Sequence, residues 1–559
     1  MEAGSRSVVS SPRFGDDWWQ RGIIYQIYPR SFADTDGDGV GDLPGIIDHL
    51  DYLGPAGLGI DAIWLSPFYR SPGLDLGYDV SDHALVDPLF GTDEDFDRLV
   101  AEAHRRGIRV VLDLVMNHTS DAHRWFVSSR MDRSGPYADW YLWRDPAGFD
   151  VDGRPLPPNN WVSFFGGPGW QWEPARGQFY YHTFLAEQPE MDWRTPAVEE
   201  AQFDIVRGWL ARGVDGFRLD VFNAFLKHPD LPSNPTRPGT SEWRRQIHLH
   251  DRDQADFPDL IGRFRSVLDA AAERMSVGEI FDGSVETSAE LTTDHHLVFD
   301  WELLEADWTA PAIRAAIARR ESAFGPDRWP TAVLSNHDRP RHASRFASSI
   351  TGAATDPIAR AAAVLLMTIR GTPFLYYGEE LGMTDVEIPL EDSVDPPARW
   401  AGPDFVWWDR SPCRTPMPWS SAPGSGFTVG RPWLRFGPDV ATRNVAAQAA
   451  DPTSILATYR SLIALRAATP VLQVGALRLL EADDADVIAY VRETSHALVL
   501  VLFNVGRRPA RQRLPAADSP LGWRCRFGTS MLTPSPRVIE PDVVVDLAPD
   551  EALVLEALR

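Results

Sequence analysis

"GFRLDV", residues 216–221, is an apolar run that carries an arginine and an aspartate two positions apart. Preceded by Gly213-Val214-Asp215, it reads as a short buried strand. Side chains two apart on a strand point the same way, so Arg218 and Asp220 share one face. Taken alone, the pair has two readings. It is either an ion pair that locks the strand or a carboxylate kept ionised by a guanidinium at a strand end.

Runs of the same kind recur on either side. Strands are expected near 22–32 (GIIYQIYPRSF), 60–67, 109–118 (RVVLDLVMNH), 213–221, 275–281 (MSVGEIF), 296–303, 331–338 (TAVLSNHD) and 371–382. Amphipathic segments such as DEDFDRLVAEAHRRG and AVEEAQFDIVRGWLARG fall between them, the second ending on a glycine stop. Eight strands, each followed by helical material, indicate an α/β protein built on a (β/α)₈ TIM barrel. The expected catalytic barrel covers 17–118 and 189–475. A subdomain rich in Trp, Pro, Gly and Asn is inserted after strand three, at 119–188. A long loop subdomain at about 383–435 carries nine prolines, and unstructured stretches of that length are usually functional. From 476 to 559 the pattern turns all-β, with DVIAYV, HALVLVLFNV, DVVVDL and EALVLEAL, which predicts a C-terminal β-sandwich domain.

The bulk numbers exclude several classes of partner. The chain has 559 residues, 44% apolar and 24% charged, the balance of a soluble protein with more than one core. A net charge of −25 argues against nucleic acid or an anionic membrane surface, which both select a basic face. No run reaches the length of a membrane span, and MEAGSRSVVSSPRFGDD lacks the apolar core of a signal peptide. Two distant cysteines, Cys413 and Cys525, fit a reducing compartment, so a cytoplasmic location is expected. The 21 tryptophans supply core volume and, in part, flat faces on which an uncharged sugar could stack.

Position decides the opening question. Asp113 and His118 end strand three, Arg218 and Asp220 strand four, Glu279 strand five, and His337 with Asp338 strand seven. Barrel active sites assemble at the carboxyl ends of the strands, so these residues converge on one mouth. Several carboxylates on one rim repel and desolvate at a cost that points to function. With no metal cluster and no Ser or Cys nucleophile motif among them, they point to glycoside hydrolysis. Asp220, beside Arg218, suits the ionised nucleophile. Glu279, with no cation adjacent in sequence, suits the general acid/base. Asp338 suits ring hydroxyls, with His118 and His337 as further donors.

These same stretches carry a resemblance. DLVMNH (113–118), GFRLDV (216–221), GEIF (278–281) and SNHD (335–338), in that order, resemble the four blocks of the α-amylase family of glycoside hydrolases. IYPRSFADTDGDGVGDLPGI, GYDVSDH, NNWVSFFGG, YYHTFLAEQPEMDW and CRTPMPW resemble its oligo-1,6-glucosidase and α-glucosidase branch. The chain departs in reading QPEMDW where QPDLNW is usual, and DRSPCRTPM where RDNARTPM is common. The resemblance implies a retaining mechanism, with Asp220 as nucleophile, Glu279 as acid/base and Asp338 as transition-state stabiliser. It also implies that Asp75, Tyr78, His118, Phe165, Arg218, His337 and Arg410 line a pocket for a terminal glucose. Val221 is the residue type that in this branch accompanies α-1,6 cleavage. The implied substrate is a disaccharide or short oligosaccharide. Transglucosylases and sucrose isomerases share these residues, and a non-catalytic barrel protein is the rival of another class.

A second motif, DTDGDGVGD, spaces Asp34, Asp36, Asp38 and Asp42 around the carbonyl of Val40. Oxygens at alternate positions, with glycines for tight turning, suit Ca²⁺. The plainer reading is a solvated Asp/Gly turn. The family resemblance implies a structural Ca²⁺ in the matching loop.

Overall fold

A computed structural model of the chain describes residues 15–348, 354–400, 409–530 and 538–558. Part of the 383–435 loop therefore lies outside the described residues, as do the first residues of the chain.

Eight parallel strands form the central sheet: β1 (Ile24–Ile27), β2 (Ala62–Leu65), β3 (Arg109–Leu114), β4 (Gly216–Leu219), β5 (Met275–Gly278), β6 (Leu297–Val298), β7 (Thr331–Val333) and β8 (Thr372–Tyr376). Their hydrogen-bonded order is β6-β5-β4-β3-β2-β1-β8-β7. Among the described residues no ladder joins β6 to β7. There the Asp300 amide donates to Thr331 Oγ1 at 3.1 Å, and the buried Arg320 bonds both Asp300 and the Thr331 carbonyl. The barrel is thus closed by side chains at its one seam.

Each strand is shorter than its apolar run. DLVMNH leaves the ladder after Leu114, and GFRLDV after Leu219. The remainder of each run stays buried but leaves the central sheet for the mouth, where His118 bridges Glu190 and the Asn117 carbonyl accepts the Met191 amide.

The intervening helices form because their apolar residues fall on one stripe. In Asp93–Arg105 the buried positions are Phe96, Leu99, Val100 and Ala103, the spacing of one helix face. Thr92 and Asp95 close a reciprocal capping box at its start.

The insertion after β3 folds its aromatic residues inward. Trp143–Arg144, Gln178–Tyr181 and Trp170–Glu173 make a three-stranded antiparallel sheet, packed on Trp161, Leu142 and Leu231. The C-terminal region is a six-stranded antiparallel sheet, with Val487–Glu493 and Leu498–Asn504 among its inner strands. A two-stranded ladder, Ala510–Arg513 with Val544–Leu547, contributes Ala510 and Leu547 to the core on one face. Ile488, Tyr490, Val499, Val501 and Phe503 join the barrel core on the other. Both faces are covered, which is why these two strands read as unbroken apolar runs.

Candidate active site

Register builds the site. In the parallel ladders Arg218 lies level with Asp113 on β3, and Leu219 level with Gly278 on β5. The next residue of each of the latter strands, Asp220 and Glu279, therefore enters the mouth at one height. Gly278 is required there, because a Cβ would lie 2.4 Å from the Phe222 ring.

The Arg218 guanidinium is the hub. It donates to Asp113 Oδ1 at 2.7 Å and to Asp220 Oδ1 at 2.6 Å through one nitrogen, and to Glu279 through the other. The sequence places a cation only beside Asp220. Tertiary structure brings the same cation to Glu279, 61 residues away. Arg218 itself is 1% exposed and also sits 5.4 Å from the centre of the Trp64 ring.

Three acids around one cation cannot all ionise freely. Burial raises the Asp113 carboxyl to about 6, Asp220 to about 7 and Glu279 to about 8. Arg218 opposes the rise in every case, while repulsion from neighbouring carboxylates adds to it. The group titrates as a unit, and Glu279 holds its proton longest. Asp338 behaves oppositely. Burial pushes it up as well, but the Arg410 guanidinium at 3.1 Å and that of Arg414 at 2.9 Å, with His337 Nε2 3.1 Å away as a neutral donor, override that and hold it below the usual carboxylate range.

Asp220, Glu279 and Asp338 line a pocket of about 420 Å³, within the ordinary range for small-molecule sites. Asp75, Tyr78, His118, Phe165, Asp220, Val221, Glu279, Asp338 and Arg410 all line it. Arg218 and His337, also expected at the sugar, are buried one row behind, with the His337 ring stacked 5.4 Å from that of Tyr78. Arg410 closes one side by bonding Asp75 at 2.7 Å. His118 is buried beneath the carbonyl of Tyr78, 3.1 Å away, and burial lowers its pKa to about 3, so it stays neutral. Val221 has φ 38°, a left-handed conformation costly for a β-branched residue. That turn points its amide at Glu279, 3.4 Å away.

Sequence reasoning missed the supports. Asp395 accepts Arg410 Nε at 2.9 Å and its amide at 2.7 Å. Arg414 bonds Asp338 and the His337 carbonyl, and Gln188 donates to Asp75 at 3.0 Å. Asp395 lies in a proline-rich stretch without periodicity, so nothing local marks it. Gln188 lies in the quoted YYHTFLAEQPEMDW, where its position carried the only signal. Phe164, Phe184, Phe281 and Trp243 complete the aromatic wall.

In the loop after β1, carboxylate oxygens of Asp34, Asp36 and Asp42 lie within 4.8 Å of one another. Three hard oxygens so close suit a cation of the Ca²⁺ type. Asp38 is not part of that group; it accepts the Val40 amide at 2.7 Å.

A carboxylate-floored pocket at the carboxyl end of a (β/α)₈ barrel, walled by aromatic rings, defines a barrel glycosidase. The family described as "Alpha amylase, catalytic domain" matches residues 26–475, and the chain belongs to the α-amylase family. It is 43% identical to a "Probable alpha-glucosidase" of Rhizobium meliloti (strain 1021), over 89% of this chain and 91% of that one. It is 37% identical to an oligo-1,6-glucosidase of Heyndrickxia coagulans, over 88% and 92%. The crystal structure of an α-glucosyl transfer enzyme superposes with a TM-score of 0.87 at 41% identity, covering 97% of this chain and 99% of that one.

Proposed function

We propose that this chain is an exo-acting, retaining α-glucosidase that releases terminal non-reducing α-linked glucose from maltose, isomaltose or short oligosaccharides. The observation that carries the reading is the single guanidinium of Arg218 shared by Asp220 and Glu279 at the floor of a pocket that Asp75 and Arg410 close. Asp220, the more acidic of the two, attacks the anomeric carbon. Glu279, which keeps its proton longest, delivers it to the leaving oxygen and then takes one from the incoming water. Ionised Asp338 and the Arg410–Asp75 pair hold the hydroxyls of the glucosyl ring, and Tyr78 lies beneath it.

The test is a product assay on maltose, isomaltose, sucrose, trehalose and starch, with proton NMR of the first product. The expected outcome is α-glucose from short substrates and slow action on starch. Initial β-glucose would refute the double displacement, and rapid loss of starch viscosity with little free glucose would refute the closed pocket. A second reading, transfer of the glucosyl group to a sugar or other acceptor, is favoured by the likeness to the α-glucosyl transfer enzyme. It uses the same residues and gives transfer products in the same assay.

Asp34, Asp36, Asp42 and the Val40 carbonyl would hold a structural Ca²⁺. The cation would brace the loop, which the Asp34 amide already ties to the Phe427 carbonyl of the 383–435 segment at 2.8 Å. No helix among the described residues is long and apolar enough to cross a membrane. The two cysteines, both unpaired and buried, support a cytoplasmic location.

A further inference from the structure

Gln26 is an amide in the middle of β1, 1% exposed and outside the pocket lining. Its Nε2 lies 2.8 Å from His337 Nδ1 and 3.2 Å from Ser66 Oγ. On the far side of the ring, His337 Nε2 lies 2.5 Å from the Tyr78 hydroxyl and 3.1 Å from Asp338 Oδ2. Tyr78 is in turn 3.0 Å from Asp113 Oδ2, and Asp113 binds Arg218. A hydrogen-bond chain therefore runs from β1 to the hub of the carboxylates.

Its protons have one consistent arrangement when Asp113 is ionised. A carboxylate only accepts, so the Tyr78 hydroxyl donates to Asp113. Tyr78 has no second proton and accepts from His337 Nε2–H. His337 is fully buried, and burial lowers its pKa well below the usual value, so the ring is neutral and Nδ1 carries a lone pair. That lone pair needs a donor, and the Gln26 amide supplies it. Asp338 Oδ2, the other neighbour of Nε2, is again an acceptor, which requires the same tautomer.

We propose that Gln26 is a positioning residue that fixes His337 in the Nε2–H tautomer, aiming that proton at Tyr78 and Asp338 on the wall of the pocket. The inference rests on the pocket being the reaction site proposed above. Ser66 takes the second amide proton and holds the Gln26 side chain in one orientation.

Two variants test it, with pH profiles of kcat/KM on 4-nitrophenyl α-glucoside and a melting curve for each. Gln26→Glu keeps the shape and replaces the donor by an acceptor. The introduced carboxylate requires a proton on Nδ1 while Nε2 must still donate, so His337 becomes an imidazolium. Its positive ring lies closer to Asp338, Tyr78 and Asp113 than the new carboxylate does, so the acids of the floor ionise at lower pH. Both limbs of the bell are expected to move to lower pH by about one unit, with the melting temperature little changed. Gln26→Leu removes the donor and adds no acceptor. It is expected to lower kcat by about tenfold or more, with the bell in place and KM nearly unchanged.

A Gln26→Glu profile that superposes on the parent's overturns the proposal, as does a folded Gln26→Leu enzyme with full kcat. Gln26→Glu alone decides if Gln26→Leu fails to fold. Asp220→Asn is assayed beside them. Its retained activity would refute the reading of the pocket, whereas an inactive Asp220→Asn with an unshifted Gln26→Glu profile refutes only the role of Gln26.

Discussion

Replacing Arg218 by methionine removes the one cation among the described residues that touches Asp113, Asp220 and Glu279 together, and the structure sets both the size and the pH dependence of the result. The guanidinium lies 2.7 Å from Asp113 and 2.6 Å from Asp220 and also binds Glu279, with none of the four side chains more than 14% exposed. Removing one partner of a buried ion pair costs about 3–5 kcal/mol, because the remaining charge is left uncompensated. Protonation limits that cost. In the parent protein Asp220 and Glu279 titrate at about 7 and 8 when folded, against about 4 when unfolded. These are raised carboxylates. Their contribution to stability is fully present below about pH 4 and is lost as pH climbs through the folded values.

Without Arg218 every folded value rises further, since its field lowers all three. At pH 5 the acids of the variant are neutral, and the loss of stability is small. At pH 8 the full penalty of about 3–5 kcal/mol is expected, a fall of about 3–4 °C in melting temperature for a chain of this size. Activity follows the ionisation of Asp220. A rise of about two units leaves roughly 1% of the nucleophile ionised at pH 7, against about half in the parent, so kcat/KM falls by about 50-fold and recovers in part toward pH 9. Calorimetry at pH 5 and pH 8, with kcat/KM across the same range, measures both effects. Equal melting deficits at the two pH values, or activity within tenfold of the parent at pH 7, would refute the shared-cation argument.

The roles of the two catalytic acids separate by leaving group. Asp220→Asn is expected to be inactive on every substrate, whereas Glu279→Gln should retain activity on 4-nitrophenyl α-glucoside, whose leaving group needs no proton. Equal losses on nitrophenyl glucoside and maltose would mean the assignment is wrong. Chelation is expected to lower the melting temperature, because a ligand that binds only the folded state stabilises it, while activity well below that temperature persists. An unchanged melting curve in excess chelator, with no metal on elemental analysis, would return the 34–42 loop to an ordinary turn.

What the sequence determined by itself is local. Alternating short apolar runs and amphipathic segments specify a (β/α)₈ barrel, because strand and helix periods are properties of neighbouring residues. The placement of Asp220, Glu279 and Asp338 at the ends of such runs follows from the same local reading. The C-terminal sheet was legible for the same reason, although the short strand Ala510–Arg513 of the ladder beside it was not. Tertiary structure alone decided which charges meet. Arg218 reaches Glu279 because two parallel strands share a register, and Arg410 reaches Asp75, 335 positions away, because the chain around Arg410 returns to the mouth. Asp395 and Arg414 owe their roles to that same return of the chain. Gln26 is the extreme case. In sequence it is a lone amide in an apolar strand, and only closure of the barrel between β1 and β8 brings it against His337. Periodicity is fixed over a few residues, whereas the electrostatics of a site depend on distances between residues hundreds of positions apart, which no local pattern encodes.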